Sequence, residues 1–197
     1  MYFRLSPMFH LPNLFVLQRI QERRKYYNKF SEKYDSFLHL LEDADKPSVN
    51  HYKSYREITF KNRLKFGVTY QEVIKLLGKP LVNYSNPKSP GHQILLYKYS
   101  ISSNKIKCEV HLYQNRFILG IYVSDYMTND RQDLKKYFLE RYLGNKHLVH
   151  NSNFRISDPV NNSVYVNDSV CLELIYLSHT ASALFHNNFI SNHHVII

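Results

Sequence analysis

The sequence predicts an α+β fold, with a long N-terminal amphipathic helix followed by two helix-plus-antiparallel-meander units, the second degenerate. Three observations predict it. Apolar residues between Asn13 and Glu42 recur at three-and-four spacing, the run GVTYQEVIKLLGKP is punctuated as one complete helix, and the segments after it alternate apolar with polar residues. The same order, a helix ended by Leu-Gly and then strands, recurs after residue 128.

The first element rests on Leu14, Leu17, Ile20, Tyr27, Phe30, Tyr34, Phe37 and Leu41, with Pro12 where a first helical turn tolerates it. Its other face carries Arg23, Arg24, Lys25, Lys29 and Lys33, a candidate nucleic-acid contact if those charges are more than a solvated surface. Residues 43 to 56 are polar, contain Pro47 and read as a linker. Glu57 to Phe60 is a short extended lead-in, and Gly67 permits a turn. Thr69 and Glu72 have capping-box spacing, Val73, Ile74 and Leu77 supply a buried face, and Gly78 with Pro80 stops the helix in a left-handed conformation.

Strand signals follow at Ile94 to Ser100, Ile106 to Tyr113 and Phe117 to Val123, the last two joined across Gln114, Asn115 and Arg116. The second helix carries cap candidates Thr128, Asn129 and Asp130, an apolar face of Leu134, Tyr137, Phe138 and Tyr142, and a terminating Gly144. Strands are expected at Asn153 to Ile156, Ser163 to Asn167 and Val170 to Ser178, with a weaker one near Ala183 to His186. The resulting organisation is a helical region and linker over 1–56, a helix-plus-hairpin unit over 57–127, and a second helix-plus-strands unit over 128–197, packed with the first as one domain.

The run GVTYQEVIKLLGKP, followed by LLYKYSI, KIKCEVHLY and QNRFILGIYV, resembles the SmpA/OmlA (BamE-like) module over residues 58–124. That family shows a Gly-hydrophobic-Thr start, a helix with Glu-Val, a Leu-Gly-x-Pro end and an aromatic-bearing strand before a hairpin. Tandem copies of a similar unit build the β-lactamase-inhibitor-protein-like architecture. The resemblance implies a scaffold for protein contact, with no family-wide catalytic residue. The lipid-accepting N-terminal cysteine of BamE-like lipoproteins has no counterpart, since the first cysteine is Cys108.

Composition sets wider bounds. At 197 residues and 44% hydrophobic, the chain can bury a sizeable core. A net charge of +10 favours an anionic partner, although Lys, Asn, Ile, Tyr and Phe are also what AT-rich coding supplies. The excess is +6 over residues 1–65, +4 over 66–127 and 0 over 128–197. Two cysteines, Cys108 and Cys171, support neither a disulfide framework nor a Cys-rich metal site. Pro7 and Pro12 break the N-terminal apolar run, and no stretch approaches the roughly 20 apolar residues that span a bilayer. A cytoplasmic, basic and soluble protein is expected.

A nucleotide loop is excluded because Gly67 and Gly78 bracket a helix instead of clustering before Lys-Ser/Thr. His179, His186, His193 and His194 lack metal-ligand spacing, and Asp125, Asp158 and Asp168 stand beside turns where carboxylates cap backbone. No catalytic, cofactor or metal residue is therefore assigned. The expectation is a noncatalytic module binding an unidentified protein through Tyr97, Tyr99, Lys107, His111, Tyr113 and Tyr122, which alternation can bring to one exposed face. The competing reading is a basic nucleic-acid-binding accessory protein, and the third is an enzyme whose site assembles only in three dimensions.

Overall fold

A computed structural model describes residues 50–87, 89–101, 104–124, 131–144, 153–168 and 172–181. The chain divides into Met1–Asp35 and Ser36–Ile197, and every described residue belongs to the second unit. The expected N-terminal helix, with Arg23, Arg24, Lys25, Lys29 and Lys33, lies outside the described residues, as does the weak strand near Ala183.

Eight strands form one mixed sheet: β1 (His51–Lys53), β2 (Val82–Ser85), β3 (His92–Ile101), β4 (Asn104–Tyr113), β5 (Arg116–Ser124), β6 (Asn153–Ser157), β7 (Ser163–Asp168) and β8 (Leu172–Leu177). Their spatial order is β1-β6-β7-β8-β5-β4-β3-β2. The described helices are α1 (Tyr70–Leu77), α2 (Arg131–Leu143) and a short 3-10 turn at Lys61–Arg63, so the described fold is predominantly β. This corrects the α+β expectation of two helix-plus-meander units, because the meanders share one sheet. β5 and β8 pair antiparallel from Leu119↔Leu177 to Ser124↔Leu172. The physical reason lies in β5, whose residues Phe117–Ile121 are all buried and so need cover on both faces and both edges.

Two strands come from segments not expected to be strands. β1 lies in the presumed linker and runs parallel to β6, and β2 follows Pro80 and pairs antiparallel with β3. Each has three or four residues, too few to show a period.

Local chemistry explains α1. Thr69 Oγ1 accepts from the Glu72 amide while Glu72 accepts from the Thr69 amide, completing the capping box. Gly78 has φ 82° with ψ −172°, so the helix ends in a glycine-only extended conformation instead of the expected left-handed one. The β4–β5 hairpin turns on Gln114 and Asn115 alone, both at positive φ, and Arg116 already belongs to β5. Among the described side chains of α2, Lys135, Leu139 and Tyr142 are buried, with Lys135 Nζ 3.1 Å from Asp168. The expected cap candidates of α2 and the side chains of Leu134, Tyr137 and Phe138 lie outside the described residues.

The helices and the lead-in cover one sheet face. Ile58, Phe60, Leu64, Val73, Leu139 and Tyr142 pack there against Leu95, Cys108, Val110, Phe154, Val164 and Tyr176. Ser54 to Phe60 crosses this face as a strap: Tyr142 donates to the Thr59 carbonyl, and the Ile58 amide donates to Asp158 Oδ2 at 2.8 Å. A second apolar cluster, Ile118, Leu119, Ile121, Leu177 and Ala181, lies on the opposite face.

Candidate functional site

Register decides where the expected contact residues go. Tyr97 pairs with Cys108, Tyr99 with Ile106 and Cys108 with Tyr122, which puts Tyr97, Tyr99 and Tyr122 on the helix-covered face. Lys107, His111 and Tyr113 point to the opposite face. Tyr97 is 4% exposed and His111 0%, and the other four are half-buried. The six residues therefore do not form a single exposed surface, because cross-strand pairing sorts them by position and not by residue type.

On the helix side, Tyr97 donates to the Gly78 carbonyl at 3.2 Å and fastens the end of α1 to the sheet. Tyr97 and Tyr99 stack with ring centroids 5.9 Å apart. Lys61 Nζ lies 2.8 Å from the centroid of the Tyr99 ring. Burial lowers the pKa of that ammonium, while the electron-rich ring face favours the cation. The Tyr99 hydroxyl is buried without a hydrogen-bond partner among the described residues. Burial pushes the phenols of Tyr97, Tyr99 and Tyr122 and the Cys108 thiol well above their usual ranges. A thiol so placed is a packed core group and a poor nucleophile.

On the other face, β3 and β4 bring together chemistry that sequence reasoning missed. His92 Nε2 and His111 Nδ1 are 3.0 Å apart, Asn86 Nδ2 is 3.4 Å from His92 Nδ1, and Glu109 Oε2 is 3.6 Å from His111 Nε2. All four residues are buried. The histidines are diagonal neighbours, since His92 pairs with Tyr113 and Ile94 with His111. One imidazole donates and the other accepts, so the pair holds at least one neutral ring. Burial, then the neighbouring His111, lowers the His92 pKa to about 2. Through Asn86, just past β2, His92 on β3 and His111 on β4, the row links the end of β2 to β3 and β4, a structural use of buried polar groups. No three His, Cys, Asp or Glu side chains are arranged to hold a metal among the described residues.

The accessible chemistry sits at the outer end of the sheet. Among the described residues, β2 pairs with β3 on one side and is the last strand in the order. Pairings Val82↔Leu96 and Tyr84↔Ile94, with the Asn86 amide donating to the His92 carbonyl, turn the backbone of Val82 and Tyr84 toward β3. Alternation turns the amides and carbonyls of Asn83 and Ser85 outward, and both residues are exposed. Leu81, which directly precedes β2, is 66% exposed, Leu76 in the last turn of α1 is 43% exposed, and Lys75, Lys79 and Lys98 are exposed as well. Residues 73–108 contain six lysines and no aspartate or glutamate. That charge asymmetry was readable in the sequence; the open edge was not.

Compared with protein-family models, curated proteins and solved structures, the chain matches none. No described helix is long and apolar enough to cross a membrane.

Proposed function

We propose that the protein is a noncatalytic scaffold that binds another protein. The outer edge of β2, with which no described strand pairs, carries this reading, because outward-facing backbone groups on such an edge suit pairing with an added chain. The interior supports it: the histidines face each other and the Cys108 thiol is packed in the core, so these groups maintain the sheet. The BamE-like reading of residues 58–124 belongs to the same proposal, supported by the order of capped helix α1 and meander β2–β5.

Cross-linking of the full chain to its co-purified partner, with the linked residues mapped by mass spectrometry, tests this. Reproducible links from one partner to one surface of the sheet are expected. A chain that recovers no partner from its native source at any salt concentration would remove the reading.

The acid-free stretch 73–108 favours a second reading, nucleic-acid binding through lysine contacts with phosphate. Affinity for single-stranded or duplex DNA or RNA should then fall steeply with salt. Absence of a mobility shift at low salt ends it.

A further inference from the structure

We infer that β2 receives an extended, acidic segment of the partner as a ninth strand, a deepening that rests on the protein-binding reading above. Three independent features converge on that occupant. First, no described strand pairs with this edge, and VNYS contains neither a charge nor a proline, the usual devices that stop strands from adding, with Pro80 and Pro87 only at its flanks. Second, Asn83 and Ser85 present their amides and carbonyls outward at the spacing of alternate residues in an incoming strand. Third, the exposed charges flanking β2 in sequence and register are lysines: Lys79 precedes the strand, Lys98 follows Leu96, the β3 residue that pairs with Val82, and residues 73–108 contain no acidic residue.

Exposed Leu81 adds apolar surface at the start of the strand. An occupant with acidic side chains and one or two apolar ones matches this border. A nucleic acid matches the lysines but has no use for the outward amide and carbonyl pairs.

Ser85 allows a clean test. Its side chain makes no hydrogen bond among the described residues, and its amide points away from β3, so Ser85→Pro removes an outward donor while leaving the β2–β3 ladder in place. The probe is a fluorescein-labelled decapeptide of alternating Glu and Val, titrated with the full chain and read by fluorescence anisotropy. The control is the same peptide with alternate residues replaced by Pro, which lacks the amides needed for pairing. A labelled single-stranded oligonucleotide provides the third arm.

Binding of the decapeptide, absence of binding by its proline form, and weakening of at least about tenfold by both Ser85→Pro and Lys79→Glu are expected for loss of backbone pairing and of a charge contact. Circular dichroism confirms that each variant is folded, and Lys79→Glu keeps the test valid if Ser85→Pro is not. Equal binding by wild type and Ser85→Pro overturns strand addition. So does oligonucleotide binding without peptide binding, and so does silence from both probes. A natural partner that cross-links to wild type and Ser85→Pro alike overturns the edge as its seat while leaving the protein-binding reading intact.

Discussion

Gly120→Ala should destabilise the protein, for a reason that a single contact supplies. Gly120 lies in the middle of β5 with an extended backbone that alanine would adopt without strain. A Cβ there would stand 2.5 to 2.8 Å from three carbons of the Phe60 ring, closer than real methyl contacts allow. Phe60 cannot retreat. It is 1% exposed, stacked on Tyr122 at 4.5 Å and edge-on to Tyr176 at 5.1 Å.

Overpacking of this kind costs about 1–3 kcal/mol, and replacing a strand glycine returns about 0.5–1 kcal/mol of chain entropy. At the middle of those ranges the net expectation is a loss of about 1 kcal/mol, read as a lower urea midpoint at unchanged slope. Phe60→Leu should itself destabilise by emptying part of the ring's site, yet it relieves the clash, so the double variant should be more stable than the sum of the single losses predicts. Gly120→Ala as stable as wild type, or a cycle additive to within about 0.5 kcal/mol, would refute the close approach of strap and sheet.

Three further outcomes follow from buried polar groups. Asp158 accepts from the amides of Ile58, Val160 and Asn162, so Asp158→Ala should cost about 3 kcal/mol, chiefly from the orphaned Ile58 amide, and a loss under about 0.5 kcal/mol in urea unfolding would contradict that role. His92 has a folded-state pKa of about 2 against the ordinary value of 6.5, so protons bind the unfolded chain first as pH falls. Stability is complete above pH 6.5 and drops by up to about 1.4 kcal/mol per pH unit below it, toward pH 2; His92→Gln should flatten that part of the profile, and an unchanged slope would remove His92 as its source. Cys108 should resist a thiol reagent in the native protein and react on unfolding, and fast labelling of Cys108 in the folded chain, located by peptide mapping, would contradict its burial.

Much of the local structure was legible because it is written in short-range chemistry. Thr69, Glu72 and Gly78 mark α1 through hydrogen bonds and backbone freedom that involve only near neighbours. β3 to β8 carry enough apolar residues to be placed within a few positions of their ends. Sequence separation set the limit. The β5–β8 ladder joins Ser124 to Leu172 and Leu119 to Leu177, about fifty positions apart, and turns two expected units into one sheet. β1 and β2 are too short to show a period, and the strand order that leaves β2 outermost is a property of the whole fold. His92 and His111 meet only because a hairpin fixes their register, while Lys135 is buried by its pairing with Asp168, which helical spacing does not reveal. The six proposed contact residues shared a plausible chemistry, but strand register divides them between two faces.

Continuity of the sheet holds both outer edges in place, and native-state amide hydrogen exchange tests it most directly. One sheet predicts that the paired amides of β5 and β8 exchange only on opening with a free energy close to that of global unfolding, and that the central amides of β3 to β8 respond together to low denaturant. Opening of β6 to β8 as a separate unit, at a free energy several kcal/mol below that of β3 to β5, would contradict it.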